Sequence, residues 1–259
     1  MSSKIIIDGD IFLYQCAFAS ETEVCWDAGK NFYTLYGELG PAQRAFSEQV
    51  DKVVSTVGVD DFIICFSGKD IFRKKLDPEY KANRSGKRKP VVLVPLREYI
   101  MEKYRSMAVP HLEADDLLGI LAQEGDIMVT SDKDLQTVPG LHYDPRSEAK
   151  KGESGVYQIK PHEAIYHHLI QTLTGDSTDN IKGCPKVGPV TARKKLRAAP
   201  PSDMWSQVVG IFEESGMNEE YAITQARLTY ILRGDDYDFR TGNINHWTPE
   251  TYNEYDRTV

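Results

Sequence analysis

Carboxylates gather at four separated places in this chain, each at the end of an expected strand or the start of an expected helix. Asp8 follows the apolar residues 5–7, and Asp132 follows the apolar residues 127–129. Such runs are typical of buried parallel strands, whose carboxyl ends collect ligand sites. Ionised carboxylates in one cleft repel each other, and hard divalent cations with oxygen ligands relieve that repulsion. The candidate metal ligands are Asp8, Glu113, Asp115, Asp116, Asp132, Asp134, Asp176 and Asp179.

Carboxylates in this pattern suit phosphodiester hydrolysis by two metal ions. A pair of ions about 3.5–4 Å apart clamps a scissile phosphate, activates a water and stabilises the departing oxygen without a protein nucleophile. Glu113 and Asp116 share a helix face, with Asp115 to one side at the helix start. Asp132 and Asp134 lie two apart on a strand-end turn. Each pair alone could be a solvated surface or a helix cap, but four such places together favour a two-metal nuclease site.

The net charge of −8 hides two basic stretches. Residues 69–89 carry a net charge of +6, and residues 182–197 contain six basic residues and no acid. Residues 203–259 have a net charge of −7, which accounts for most of the overall acidity. A basic stretch alone is most often a solvated face, but two of them beside a metal-type site favour a nucleic-acid partner.

The first basic stretch combines an aromatic residue with cations. Tyr80 offers a face for base stacking, and Lys81 and Arg84 offer positive charge for phosphate. Lys87 and Arg88 extend the same run. These five residues are predicted to bind DNA.

Residues 181–192 fit a helix-hairpin-helix, with a tight turn between two glycines and a helix that follows it. Glycines let the main chain approach a phosphate, and the free N–H groups at the helix start point at it. Such binding would not depend on base sequence. The alternative is a plain Gly-Pro turn between two helices. The predicted contacts are Gly183, Lys186, Gly188, Arg193 and Lys194.

The elements that position these residues alternate between strand and helix, which predicts an α/β fold with a mostly parallel sheet flanked by helices. We expect a catalytic domain over residues 1–160, with a basic arch at about 68–93. A helical subdomain over residues 161–259 would hold the hairpin motif at about 176–197. His162, His167 and His168 lie on an expected helix without zinc-type spacing, which predicts exposed or half-buried side chains.

Composition narrows the setting of the protein. The four cysteines are isolated, and the start of the chain lacks an apolar targeting core. No stretch of the 259 residues approaches the roughly 18 apolar residues that a membrane-spanning helix needs. We therefore expect a protein of a reduced cytoplasm with no membrane role.

Five motifs, in chain order, resemble the 5′-nuclease superfamily of flap endonucleases and 5′→3′ exonucleases. They are Asp8 after a strand, FRKKLDPEYKANR, EADD, TSDKD and GDSTDNIKGCPKVGPVTA. The likeness is to the stand-alone exonucleases of bacteriophages and the 5′-nuclease domain of bacterial DNA polymerase I, and the last sixty or so residues lie outside it. The resemblance implies a PIN-like fold with a small helical arch and a helix-hairpin-helix. It also implies hydrolysis from the 5′ ends of duplex or flapped DNA, in primer removal or DNA degradation during phage or bacterial replication.

The resemblance further implies roles for the site residues. Two ions, Mg²⁺ or Mn²⁺, would be held by Asp8, Glu113 and Asp115 on one side and by Asp132, Asp134, Asp176 and Asp179 on the other, with Asp116 close by. Asp115 would bridge them. Lys81 and Arg84 would contact the scissile phosphate as catalytic cations, with Tyr80 stacking nearby. A K⁺ ion on the hairpin carbonyls, an RNA primer strand in a hybrid, a monomeric state and the bacterial host cytoplasm for a phage-encoded protein are further implications.

The chain departs from the family pattern after the strand expected at residues 62–66. The family commonly has an Asp there that helps the first metal, whereas this chain has Ser67, Gly68, Lys69 and then Asp70. Asp70 is offset by three residues, so we do not expect it to substitute directly. The segment between Arg84 and Glu113 is also short, which predicts a small arch.

Two other functions compete with the nuclease hypothesis. The Asp8-Gly9-Asp10 sequence after a strand is similar to the nucleophile pair of haloacid-dehalogenase-like phosphohydrolases, which form an aspartyl phosphate with one Mg²⁺. That interpretation leaves the hairpin motif and the basic stretch unexplained. The second alternative is a DNA-structure binder that has lost catalysis through Ser67, and it predicts binding of forked DNA in chelator without cleavage.

Overall fold

A mostly parallel six-stranded sheet forms the centre of the computed structural model, which describes residues 3–30, 32–146, 155–196 and 203–252. The strands are β1 Ile5–Asp8, β2 Glu21–Asp27, β3 Phe32–Gly37, β4 Phe62–Ser67, β5 Ser106–Val109, β6 Ile127–Val129, β7 Gly140–Tyr143 and β8 Val156–Ile159. The main sheet has the order β5-β4-β1-β6-β7-β8, and only its edge strand β8 is antiparallel to its neighbour. β2 and β3 form a separate antiparallel hairpin. The predicted α/β architecture is confirmed.

Strand β1 shows why the sequence forms a sheet with two buried faces. Ile5 and Ile7 pack into the hydrophobic core on one face, and Ile6 packs into the core on the other. All three side chains are fully buried, so the strand is apolar throughout rather than alternating. The β1 strand pairs with β4 on one side and β6 on the other, which places Asp8 at the centre of the carboxyl edge.

Helices cover both faces of the sheet and continue into a helical C-terminal part. They are α1 Gly9–Ala19, α2 Leu39–Val57, α3 Arg73–Leu76, α4 Leu93–Lys103, α5 Ala114–Leu121, α6 Pro161–Thr174, α7 Pro189–Leu196, α8 Met204–Glu214 and α9 Glu219–Thr229. α1, α2 and α4 supply the core on one face, and α5 and α9 supply the core on the other.

The predicted arch at residues 68–93 contains little helix. Its helical content is α3 and a 3-10 turn at Ala82–Arg84. The base of this segment is bound to the loop after α6, because the Asn83 side chain donates to the Ser177 carbonyl at 2.9 Å and the Asn180 side chain donates to the Glu79 carbonyl at 2.7 Å. The segment therefore connects the sheet part of the chain with the hairpin region.

The C-terminal part packs partly on itself and partly on the sheet. Residues of α6, α7, α8 and α9 share one hydrophobic core. Tyr230, Ile231 and Trp247, however, belong to the core that covers α5 and the sheet. The division into two domains at residue 160 stays a prediction. Arg197, at the end of the second basic stretch, and residues 253–259 of the acidic region lie outside the described residues.

One prediction about the histidines is wrong. His168 is fully buried, with Nε2 2.8 Å from the Ala226 carbonyl and Nδ1 in contact with the Tyr252 hydroxyl. Burial lowers the pKa of His168 to about 3, so the ring is neutral.

Across the described ranges, no helix is long and apolar enough to cross a membrane.

Candidate active site

An opening of about 370 Å³ lies at the carboxyl edge of the sheet, where β1, β4 and β6 meet the start of α5. Parallel strands end together at this edge, which brings side chains that are far apart in sequence to one place. The acidic residues that line it are Asp8, Asp10, Glu113, Asp115, Asp132 and Asp179. Five of these six were predicted as metal ligands.

Asp8 ends β1 and caps the start of α1. Its carboxylate accepts a hydrogen bond from the Thr130 hydroxyl at 2.9 Å and another from the Ile11 N–H at 3.3 Å. Burial, followed by the nearby charge of Asp10, raises the pKa of Asp8 to about 7. The site therefore holds a carboxylate that lacks compensating positive charge.

Asp115 and Asp132 stand close to Asp8. Burial and the charges of Asp8 and Asp132 raise the pKa of Asp115 well above its usual range. Asp132 precedes a 3-10 turn, and its carboxylate accepts from the Asp134 N–H at 2.9 Å. The three carboxylates thus influence one another electrostatically although they come from three different elements.

Asp10 also lines the opening, although it was not among the predicted metal ligands. It lies in the first turn of α1, and its Oδ2 accepts from the Ser67 N–H at the end of β4, at 3.0 Å. The signal that could have identified it is its position two residues after Asp8, which the sequence analysis assigned only to the phosphohydrolase alternative.

The acids of the opening divide into two groups. In the part of the chain that the structure describes, Asp8, Asp10, Asp115 and Asp132 have no salt bridge, whereas Glu113 and Asp179 do. Asp8 is buried and the other three are half-buried, and an unpaired charge that is shielded from water is costly unless a bound cation compensates it. These four unpaired acids are therefore the part of the site where a bound cation would be most stabilising.

Glu113 is surrounded by positive charge. Its carboxylate pairs with Lys81 and with Arg73 and accepts from the Tyr80 hydroxyl at 2.8 Å. Burial alone would raise the pKa of Glu113, but Lys81 and Arg73 lower it to about 2. Glu113 is anionic near neutral pH and already compensated.

Asp116 requires a correction, because its carboxylate does not line the opening. It is fully buried and forms a two-pronged ion pair with Arg73, with both N–O distances 2.7 Å. It also accepts from the N–H groups of Glu113 at 3.1 Å and Leu232 at 3.2 Å. Asp116 therefore stabilises the start of α5 and the packing of the C-terminal part on it.

Tyr80 requires a second correction, because it cannot stack on a base in this arrangement. Its side chain is only 3% exposed, and its ring packs with Ile181 and Leu228. The hydroxyl donates to Glu113 and lies 3.2 Å from Asp179. Tyr80 positions the acids around it rather than offering a free face.

Lys81 and Arg84 lie at the mouth of the opening and both pair with Asp179. Lys81 has a left-handed backbone with φ of 56°, and its N–H donates to the Asp179 carbonyl at 2.8 Å. Its ammonium contacts Glu113 and lies 3.3 Å from Asp179. The Arg84 side chain is 44% exposed and the Lys81 side chain 20%, and both line the opening, so a ligand there can reach both cations.

Asp134 and Asp176 lie beside the opening rather than on its wall. Lys133 bridges them, at 3.5 Å from Asp134 and 3.1 Å from Asp176. Burial and the charge of Asp132 raise the pKa of Asp134 to about 6. Of the four predicted ligands of the second ion, Asp132 and Asp179 line the opening, and Asp134 and Asp176 do not.

The hairpin glycines differ from each other. Gly183 is buried, its N–H donates to the Gln225 side chain at 2.8 Å, and an added Cβ would lie 2.3 Å from the Gly175 nitrogen. The predicted phosphate contact at Gly183 is therefore wrong, since its N–H is used and the glycine serves close packing. Gly188 is exposed just before α7.

The basic side chains that surround the hairpin and the arch remain accessible. Lys186, Arg193 and Lys194 are exposed around the hairpin, and Lys87 is exposed on the arch. Arg88 is exposed too, but it forms a two-pronged pair with Glu21 of β2, with both distances 2.8 Å.

The donor set of the opening fits divalent cations. Within the described ranges, no three His, Cys, Asp or Glu side chains are already grouped as a metal cage. The unpaired carboxylates nevertheless present the oxygen donors that Mg²⁺ and Mn²⁺ prefer, in a place where burial and mutual repulsion favour binding of positive charge.

Comparisons with known proteins agree on the kind of chain this is. Residues 3–144 match the family model of the 5′-3′ exonuclease, N-terminal resolvase-like domain. The chain is 34% identical to the 5′-3′ exonuclease of Buchnera aphidicola from Acyrthosiphon pisum, over 73% of this chain and 68% of that protein. It is 25% identical to the exodeoxyribonuclease of Enterobacteria phage T3, over 95% and 93% of the two chains. The fold is similar to that of the T5 5′-exonuclease with bound zinc, with a TM-score of 0.61 and 16% identity over 88% of this chain and 89% of that one.

Proposed function

The chain belongs to the 5′-3′ exonuclease family, and on that premise we propose that it is a metal-dependent 5′→3′ exonuclease and flap endonuclease. Its substrate would be DNA with a 5′ end or a 5′ flap, and its reaction the hydrolysis of phosphodiester bonds. The observation that carries this proposal is the group of unpaired carboxylates beside Lys81 and Arg84 in one opening. Anionic and cationic side chains at one edge suit a cation and a phosphate bound together.

We propose that Asp8, Glu113 and Asp115 hold one divalent cation and that Asp132, Asp134, Asp176 and Asp179 hold the other. Asp115 would be shared, which is supported by its interaction with both Asp8 and Asp132. When bound, the cations would activate a water and stabilise the departing oxygen. The protein itself holds the carboxylates in place through Thr130, the helix starts and the backbone of the strand ends.

Lys81 and Arg84 would bind the scissile phosphate. Lys81 is paired with Glu113 and Arg84 with Asp179. An incoming phosphate would replace these carboxylates as the partner of each cation, so charge-assisted hydrogen bonds are exchanged rather than lost. Because the Lys81 backbone is bound to Asp179, the ammonium stays at the mouth of the opening during this exchange. The exposed bases Lys186, Arg193 and Lys194 and the start of α7 at Gly188 would hold duplex phosphate independently of sequence.

Several finer proposals follow from the family resemblance. Mg²⁺ or Mn²⁺ would be the resident ion, K⁺ would bind hairpin carbonyls, and an RNA strand in a hybrid would be accepted as a primer. The protein would act as a monomer in a bacterial host cytoplasm during replication. The reduced setting is supported by free Cys16, Cys65 and Cys184, which are buried without a disulfide. The family match removes the phosphohydrolase alternative, because it concerns 5′-3′ exonucleases.

The test is cleavage of a 5′-flapped duplex and of a blunt duplex, each labelled separately at the 5′ and 3′ ends. Reactions contain Mg²⁺ or chelator, and the proteins are the wild type, Asp132→Asn and Asp51→Asn. Asp51 lies exposed on α2, so its variant matches the charge change away from the site. We expect metal-dependent loss from the 5′ side that only Asp132→Asn abolishes. Binding without cleavage by the wild type would instead support the non-catalytic DNA binder.

A further inference from the structure

We propose that Asp10 is a further metal ligand, which supplies the carboxylate that the end of β4 does not offer. This inference rests on the proposed function, because it concerns the ions of the same opening. Asp10 lines the opening together with the unpaired acids Asp8, Asp115 and Asp132. Like them, it has no salt bridge in the described part of the chain.

The end of β4 brings no carboxylate to the opening. The Ser67 hydroxyl accepts from the Ala114 N–H at 3.0 Å, at the start of α5, and the Ser67 carbonyl accepts from Arg97 at 2.7 Å. At Gly68 an added Cβ would lie 1.9 Å from the Val109 carbonyl oxygen, so the backbone leaves no room for any side chain. Asp70 has a left-handed backbone and an exposed side chain, and it does not line the opening.

Asp10 reaches the same strand end from the other side. Its Oδ2 accepts from the Ser67 N–H at 3.0 Å, which fixes the carboxylate against the β4 terminus. A carboxylate has two oxygens, and the bond to Ser67 occupies only one of them. The second oxygen is available to a cation in the opening. The Ser67 N–H therefore orients Asp10 as a hydrogen-bonded neighbour orients a metal-binding carboxylate.

A structural role and a metal-binding role of Asp10 predict different results. If Asp10 only accepts from the Ser67 N–H, a variant that loses its charge leaves metal affinity unchanged, and metal raises the melting temperature as much as in the wild type. Removal of the Asp10 charge relieves repulsion with Asp8 in either case, so the response to metal distinguishes the two roles. If Asp10 is a ligand, its removal weakens metal binding. The increase in melting temperature that metal produces then becomes smaller, because that increase depends on affinity.

The experiment is titration of the full chain with Mn²⁺ alone by calorimetry, together with melting curves in chelator and in Mn²⁺. Asp10→Asn keeps an oxygen that accepts from Ser67, Asp10→Ser repeats the test with a hydroxyl, and Asp51→Asn is the charge-matched control. We expect both Asp10 variants to bind Mn²⁺ at least about 10-fold more weakly, since loss of even a hydrogen-bonded neighbour of a ligand has that effect, and the control to bind normally. Circular dichroism verifies that each variant is folded.

Asp132→Asn separates this inference from the proposed function. Weaker Mn²⁺ binding in both Asp10→Asn and Asp132→Asn supports both. Normal binding in Asp10→Asn with weak binding in Asp132→Asn overturns the role of Asp10 and leaves the nuclease site in place. Normal binding in both variants overturns both, because the carboxylates of the opening would then not hold the ion.

Discussion

Replacing the neighbouring acids Asp115 and Asp116 by asparagine is expected to change the stability of the metal-free protein in opposite directions. Asp115 is a half-buried charge next to other acids with no salt bridge in the described residues, and Asp116 is paired with Arg73. The two residues are adjacent on α5, so each variant is a control for the other.

The expected loss for Asp116→Asn follows from its contacts. The change breaks an ion pair between side chains that are 0% and 3% exposed, and removing one partner of such a pair costs about 3–5 kcal/mol. Arg73 keeps its contact with Glu113 and with the Leu228 and Tyr230 carbonyls, so we expect the lower value, about 3 kcal/mol. For a chain of this size that corresponds to a melting temperature about 6–12 °C lower.

Asp115→Asn is expected to raise the free energy of unfolding in chelator, because it removes a charge that burial and Asp8 disfavour. The same variant should lose much of the increase in melting temperature that saturating Mg²⁺ produces. Urea unfolding and melting curves at pH 8, with chelator and with Mg²⁺, measure both effects. A stable Asp116→Asn, or an Asp115→Asn that is several kcal/mol less stable in chelator, would refute the division between a structural and a metal-binding acid.

Three further outcomes are expected. The pKa of Asp8 is raised from 3.8 to about 7, so the stability it contributes is complete below pH 3.8 and is lost as pH rises through about 7. Over this pH range in chelator, we expect the free energy of unfolding to fall by about 4 kcal/mol, and we expect no such fall in Asp8→Asn. Equal pH dependence of the two proteins in urea unfolding would contradict this. Lys186→Ala with Arg193→Ala should lower the salt dependence of duplex affinity by about 0.9 per lost phosphate contact, and an unchanged slope in a binding titration would move the DNA path elsewhere. Gly183→Ala should cost about 2 kcal/mol or more, since φ is +63° and the Cβ would meet the backbone of the preceding helix end, whereas Gly188→Ala, with nothing within 4 Å, should melt normally.

Much of the site could be predicted from residue type and position along the chain. Asp8 and Asp132 were identifiable because each follows a wholly apolar run, and such runs form parallel strands that end at one edge. Glu113 and Asp115 were identifiable as acids at the start of an expected helix, which the structure shows as α5. Local pattern and the geometry of parallel sheets were sufficient for these residues.

The partners of each charge could not be predicted in this way, because they come from distant parts of the chain. Asp115 and Asp116 are indistinguishable as neighbouring acids, and only the position of Arg73, 43 residues earlier, turns Asp116 into a structural residue. Tyr80 and Gly183 look like DNA contacts in the sequence. In the structure, Ile181 and Leu228 bury the Tyr80 ring. The Gln225 side chain accepts the hydrogen bond from the Gly183 N–H. Asp10 was missed for the same reason, since its bond to Ser67 spans 57 residues.

The sequence by itself determined that apolar strands would meet at a sheet edge lined with acids, with basic stretches on either side, because periodicity and residue type are local properties. The tertiary structure decided which acids are already paired with Arg73, Lys81, Arg84 or Lys133 and which carry an uncompensated charge. The physical reason is that the energy of a buried charge depends on its neighbours within a few ångströms, and these neighbours are set by packing rather than by order along the chain.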